Sequence, residues 1–396
     1  MLCVIKSVLG GKLIMKIVHI CLCGAMTDGF NYQENVITKY HKKMGYDVTI
    51  IASQWIWDSA GKLQKLEKTD YINENGVKVI RLPIRHGDVN NRLKIYPDLY
   101  GTVEIEQPDI LFIHDCQFLD IRKMAVYARR HPNVKVYIDN HVDYSNGAHG
   151  WISKNLLHKG LWRLCVKKIE PYVIKFYGVL PARVNFLKEM YGLPANKCEL
   201  LVMGADDELV EKVKSTRDSI RNRYGIKEED FLIVTGGKIN QFRPETLELM
   251  SAVSGSNYKE IKMLIFGSVD DSLKPQFDSL CEDDRIQFVG WQDVKSTYCI
   301  MNAADLIVFP GLHSVMWEQA VALGIPCVFR DIDGFHHVDL GGNAVFLKDV
   351  TEDSLKNIIE NLYLSQDEYM RMRDIANKKG MQYFSYENIS KRSIEK

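Results

Sequence analysis

Asp305-Leu-Ile-Val-Phe-Pro-Gly-Leu-His-Ser-Val-Met-Trp-Glu-Gln-Ala-Val-Ala-Leu-Gly-Ile-Pro-Cys-Val-Phe329 decides the fold class of this chain. Residues 306–309 are a short apolar run closed by Pro310 and Gly311. Ser314 is positioned to cap a helix over 315–323, and Gly324 to stop it. Residues 327–329 are apolar again, so the stretch reads as strand, helix, strand: one βαβ unit of a parallel sheet. The helix is apolar nearly all round, with only Glu318 and Gln319 polar, which marks it as buried. A buried carboxylate needs a partner. Glu318 therefore either pairs within the fold or takes a ligand. A capping box with Ser314 does not explain it, because the box requires Ser-x-x-Glu and this spacing is one residue longer.

The same alternation extends outward. Upstream, 231–235 reads as a strand, Gly236-Gly237-Lys238 as a loop, and Pro244 as the first position of a helix running to 253. Strands at 261–266 and 286–289 and helices at 272–280 and 293–302 complete that half, with three helical segments at 351–363, 366–380 and 385–394 after it. The first half opens with a strand at 16–22, the loop from Gly24 to Gly29, and a helix over 32–44. Asn31 and Glu34 have capping-box spacing there. Strands follow at 47–52, 77–82, 109–114, 134–138, 178–180 and 198–202, residues 53–76 read as irregular, and 154–176 as helical. Two βα halves imply two doubly wound, Rossmann-like domains. We divide the chain into an extension (1–14), an N-terminal domain (15–204), a C-terminal domain (205–380) and a final helix (381–396).

Bulk composition narrows the function. Lys plus Arg and Asp plus Glu both number 51, so no general nucleic-acid partner is expected. The nine cysteines are scattered without a CxxC pair, which fits a reducing cytoplasm. No apolar run is long enough to cross a membrane as a helix. Residues 1–14 are basic and apolar and read as an extension ahead of Met15, with a weak peripheral membrane contact as the second reading.

Gly236 and Gly237 let a backbone approach a phosphate, a helix start attracts anions, and Lys238 and Arg243 bring two cations to the same place. His141 follows a strand at the sheet edge where doubly wound folds bind ligands, flanked by Asp139 and Asp143; a lone loop histidine is by default structural. His114-Asp115 carries a weaker version of the same case. His336-His337 reads as a polar loop, since adjacent histidines on one loop rarely meet ligand geometry, and Asp331-Ile-Asp333 is too short a match to argue a metal. No metal site and no cofactor are expected.

With these residues in view the chain resembles the family 4 glycosyltransferases of the GT-B fold, from about Met15 to the C-terminus. Tyr32-Gln-Glu-Asn35 through Ile51 resembles the family's first helix and second strand, after an acceptor-side loop that falls on Gly29. Gly236-Gly-Lys-Ile-Asn-Gln-Phe-Arg243 resembles its donor-phosphate segment, with Lys and Arg exchanged. Trp317-Glu-Gln-Ala-Val-Ala-Leu-Gly-Ile-Pro326 resembles the end of its Glu-x7-Glu motif, whose first Glu is replaced here by Pro310. The resemblance implies two domains facing a cleft, closed by a last helix that crosses back to the first domain. It implies a retaining, metal-independent transfer of sugar from a nucleotide-diphospho-sugar, UDP- or GDP-linked, to a glycan or lipid-linked acceptor in surface polysaccharide synthesis. It assigns Glu318 to the donor ribose and Lys238 and Arg243 to the leaving diphosphate. It also assigns His141 to the donor sugar, Gly290 and Trp291 to the base, and Gly311, Leu312, His313 and Ser314 to the sugar pocket. Tyr32 falls on the acceptor side. An epimerase of the same fold and a non-catalytic sugar-nucleotide-binding protein are the rival readings.

Overall fold

The computed structural model describes residues 8–9, 12–58, 61–241 and 244–395, so Arg243 and most of the N-terminal extension lie outside the described residues. The chain divides into two compact units. One runs to Val202 and takes back the chain from Ile389 onward; the other is Met203–Asn388.

The first unit is built on a sheet of β1 (Lys16–Cys21), β2 (Asp47–Ser53), β3 (Asp70–Ile72), β4 (Lys78–Leu82), β5 (Ile110–His114), β6 (Lys135–Asn140), β7 (Val173–Gly178) and β8 (Cys198–Leu200). Their spatial order is β8-β7-β6-β5-β1-β2-β4-β3, and every pairing is parallel except that of β3 with β4. One face packs Val18, Ile20, Leu111, Ile113, Val136 and Ile138 into the main core. Strand alternation sends His19, Phe112, His114, Tyr137 and Asp139 to the opposite face, where all are buried. The helix expected to reach residue 176 ends at Ile169, and β7 occupies 173–178 instead. Pro171 is the cause, since it supplies no N–H and disfavours helix in the residue before it. Residues 53–76 are not irregular: they hold a hairpin of Trp55–Trp57 with Leu63–Lys65, and then β3.

The second unit carries β9 (Phe231–Ile239), β10 (Ile261–Val269), β11 (Ile286–Gly290), β12 (Leu306–Phe309), β13 (Cys327–Arg330) and β14 (Ala344–Leu347). All are parallel, in the order β11-β10-β9-β12-β13-β14. That is the doubly wound 3-2-1-4-5-6 order, with its switch point between β9 and β12. The opening stretch folds as read, with the helix at Met316–Ala322 and Gly324 at φ +77° ending it. Its cap differs: Val315 holds the N-cap position and no side chain caps it, so Ser314 contributes only its carbonyl, to Trp317 N. Trp317 stacks on Phe329 of β13 with ring centroids 4.3 Å apart.

Gly236, Gly237 and Lys238 are not a loop. They continue β9, paired in register with Phe266, Gly267 and Ser268 of β10. Glycine makes that extension possible: a Cβ on Gly267, which sits at φ +123°, would lie 1.9 Å from the carbonyl oxygen of Gly237. We therefore expect Gly267→Ala to cost about 2 kcal/mol or more. A denaturant midpoint unchanged from wild type would show that the strands need no such approach.

Candidate functional site

The pairing that builds the second sheet also opens it. β9 meets β12 only through Ile233–Leu306 and Val234–Ile307, while it stays with β10 as far as Ile239–Val269. The carboxyl ends of β9 and β12 thus part at the switch point, and a cavity of about 400 Å³, open mouth included, fills the gap. Gly236 and Lys238 line one side and Gly311, Leu312 and Ser314 the other, with Glu245, Pro310 and Trp317 between them. Gly237 is not among the lining residues, and neither is His313. Lys238 is exposed. Gly290 ends the edge strand β11 and Trp291, 65% exposed, follows it, and neither lines the cavity.

Glu318 resolves the alternative posed by its sequence in an unexpected way. It is fully buried, and its Oε1 accepts from His313 Nε2 at 2.9 Å and from His337 Nε2 at 2.8 Å. Its Oε2 is buried and makes no hydrogen bond. One oxygen is thus paired within the fold and the other has no partner, while Glu318 itself is not among the residues that line the cavity. Burial pushes this carboxyl up, but the two imidazoles outweigh it and hold it at about 2. His337 was not legible as part of any site. The expected polar loop splits instead: His336 stays half exposed and bonds Asp331 at 2.7 Å, while its neighbour turns inward to Glu318. Glu245, on the helix Glu245–Ser254, has a similar asymmetry. Its Oε1 pairs with Arg330 Nη1 at 2.5 Å, and its Oε2 is buried without a partner.

In the first unit His141 follows β6. Its backbone N–H donates to Asp115 Oδ1 at 2.7 Å, and its ring Nε2 lies 3.5 Å from Asp139 Oδ2, an ion-pair distance rather than a hydrogen bond. Asp139 also accepts from His114 Nδ1 at 2.7 Å and from the backbone N–H of Asp115 at 3.1 Å. Asp115 sits at φ +62°, a left-handed conformation that Asp tolerates better than most residues. Burial alone would lower His141, but Asp139 outweighs it and lifts the ring to about 9. Asp143 does not join this group; it pairs with Arg183 at 3.2 Å. Gly29, at φ +77°, gives its N–H to Glu74. Tyr32, not Asn31, holds the cap position of the helix Gln33–Lys43, with no side-chain cap, so the expected capping box does not form. Tyr32 itself stacks on Phe30, while the next residue, Gln33, reaches Asp139 Oδ2 at 3.4 Å.

Two of these groups, His114–Asp139–His141 and His313–Glu318–His337, bring their ligand atoms within 4.8 Å of one another. In the second, both nitrogens that face the carboxylate are at hydrogen-bond distance from it, which satisfies them as N–H donors. His141 carries a pH dependence of its own. Its value lies above the ordinary 6.5, so its ion pair contributes stability below pH 6.5 that is lost as pH rises through about 9. A His141→Gln variant is expected to lose that alkaline loss of stability, as read from melting temperature against pH. An unchanged profile would remove His141 as its source.

No family model matches this sequence, and no curated protein does. Solved structures match in fold. Sucrose-phosphate synthase from Thermosynechococcus elongatus aligns with a TM-score of 0.68 at 13% identity, over 96% of this chain and 97% of that one. Anabaena HepE in complex with UDP aligns with a TM-score of 0.68 at 14% identity, over 96% and 98%. A candidate UDP-N-acetylglucosamine 2-epimerase from Listeria monocytogenes aligns at 0.61 and 11% identity, over 96% and 94%. The architecture they share with this chain is the GT-B fold, two Rossmann-like domains.

Proposed function

We propose that this chain is a glycosyltransferase that takes a sugar from a nucleotide-diphospho-sugar to a glycan or lipid-linked acceptor, with retention of anomeric configuration and in surface polysaccharide synthesis. The observation that carries this reading is the cavity at the β9–β12 switch point. It places an exposed cation, Lys238, opposite the loop of Gly311 to Ser314, next to the helix that bears Glu318. A doubly wound sheet binds its ligand at that point. In this reading Glu318 Oε2 accepts from a ribose hydroxyl. Lys238, with Arg243 five residues on, offsets the negative charge that grows on the departing diphosphate, so the step needs no metal. His141, cationic at neutral pH, offers an N–H to the donor sugar. Glu245 Oε2, on the cavity wall, supplies a carboxylate oxygen where the sequence motif has Pro310 in place of its first Glu. Among the described residues no helix is long and apolar enough to cross a membrane. We place the protein in the cytoplasm, meeting a lipid-linked acceptor peripherally at the inner membrane face.

HepE was solved with UDP, which supports uridine diphosphate sugars as the first donors to test. Purified protein incubated with UDP-, GDP- and ADP-sugars and a panel of acceptors should release nucleotide and form a new glycoside. Release of an epimerised sugar without a glycoside would favour the epimerase reading that the Listeria neighbour keeps open. Binding without turnover on every donor and acceptor would favour a non-catalytic role. Glu245→Gln is expected to change the ranking of donor sugars while leaving the affinity for free nucleoside diphosphate within about threefold, roughly the span of a marginal contact. An unchanged ranking would take Glu245 out of the sugar pocket.

A further inference from the structure

A buried chain of imidazoles runs behind His141, on the face of the first sheet opposite the main core. His114 Nδ1 meets Asp139 Oδ2 at 2.7 Å, His114 Nε2 meets His19 Nδ1 at 3.0 Å, and His19 Nε2 meets His41 Nδ1 at 3.0 Å. The far end, His41 Nε2, lies 2.9 Å from the carbonyl oxygen of Ser390 and 3.1 Å from Ser393 Oγ, on the last helix, Tyr386–Ser393. His19 and His41 are fully buried and His114 is 5% exposed. Helices end with carbonyls that lack partners. Here partners come from outside: His41, on the helix Gln33–Lys43, reaches Ser390 O, and from the sheet Tyr177 donates to Arg392 O at 3.3 Å and Tyr137 donates to Ile394 O at 2.9 Å.

The protons along this chain can be counted. Asp139 accepts at one end, since His114 and His141 outweigh its burial and hold its carboxyl well below the carboxylate range. At the other end the Ser390 carbonyl can only accept. Ser393 cannot supply the missing proton, because its hydroxyl already donates to Ser390 O at 2.8 Å. His41 Nε2 must therefore carry a hydrogen. Two ring-to-ring bonds and two terminal bonds then need four N–H protons, and three neutral imidazoles carry three. Burial disfavours charge on His19 and His41, which leaves the extra proton on His114, beside Asp139. The surroundings balance it. The charged groups at this end are Asp139, Asp115, His141 and the Arg183–Asp143 pair, and two carboxylates face two cationic rings.

We infer that His19, His41 and His114 form a proton-sharing relay with one proton more than three neutral rings, through which the carbonyl end of the last helix positions Asp139 and sets the charge felt by His141. None of the three meets a substrate in this account; they are positioning residues. Undocking Ser390 and Ser393 removes the acceptor that forces the fourth proton into the chain. The position of the C-terminal helix and the protonation of His141 are thereby linked.

The test does not depend on any catalytic activity, so it stands whether or not the proposed transfer reaction is found. Full-length protein labelled with ¹⁵N in its 11 histidines is studied by long-range proton–nitrogen correlation, with assignments from single His→Gln variants. At about pH 7.5, a unit above the ordinary imidazole value, we expect His114 doubly protonated, and His19 and His41 each neutral with the hydrogen on Nε2. Three neutral rings, or a hydrogen on His41 Nδ1 alone, would overturn the relay. His19→Leu should cut it, leaving His41 and His114 both neutral and moving the titration midpoint of His141 up by about one pH unit, since a nearby positive charge is lost. His19→Gln, which offers one donor and one acceptor at similar reach, should keep His114 doubly protonated and His141 at its wild-type midpoint. A His141 midpoint that ignores His19→Leu would sink the coupling. If His19→Leu does not fold, the wild-type and His19→Gln spectra still decide the proton count.

Discussion

Replacing Lys238 by Ala is expected to lower turnover with a nucleotide-sugar donor by at least about 10²-fold, the usual loss when one preorganised stabiliser of transition-state charge is removed. The side chain leaves the end of β9 where that strand has parted from β12, on the wall of the switch-point cavity. Being exposed, it contributes little to stability, so the variant should melt with the wild type. The loss should appear in kcat more than in KM, because the charge Lys238 meets grows as the diphosphate departs. Lys238→Arg should recover part of the rate, since the motif this segment resembles carries Arg there. A kcat for Lys238→Ala within about threefold of wild type would remove the residue from the site and with it the assignment of the cavity to the diphosphate.

The second large effect separates two roles of one residue. Glu318→Ala should destabilise the protein by about 3 kcal/mol or more, because two buried imidazole N–H groups lose their common acceptor. Glu318→Gln keeps an acceptor oxygen for His313 and His337 but puts a donor where Oε2 was free. It should cost little stability and weaken donor binding about 10- to 100-fold, the price of one unpaired buried polar contact. Calorimetry on Glu318→Gln therefore reads the ligand role, and denaturation of Glu318→Ala reads the structural one. Full donor affinity in Glu318→Gln would leave only the structural role. The pH dependence follows the same logic. The folded carboxyl sits at about 2 against an ordinary 4.5, so its contribution is complete above that ordinary value and is lost as pH falls toward 2.

Which parts of this arrangement could be read beforehand depends on the range of the information involved. The alternation of short apolar runs with helical segments is local, and it carried the two doubly wound domains, the βαβ unit and the isolation of Glu318 on an apolar helix. The failures are also local in origin. Gly236 and Gly237 are as compatible with a strand as with a loop, and only the approach of Gly267 from β10 decides between them. The capping box read at Asn31 satisfied a spacing rule and the cap read at Ser314 a residue preference, but the chain enters each helix one residue later.

By itself, then, the sequence determined the periodicity, the burial of the central helix and the presence of a carboxylate that needed explaining. Tertiary structure decided what meets that carboxylate. His313 and His337 stand 24 positions apart and converge on one oxygen of Glu318 because β13 runs beside β12. His19, His41, His114 and Asp139 come from four separate elements, and they form one chain because strand order puts β5 between β1 and β6. Periodicity reports which face of an element is buried, while the side chains that share that burial are chosen by which elements become neighbours.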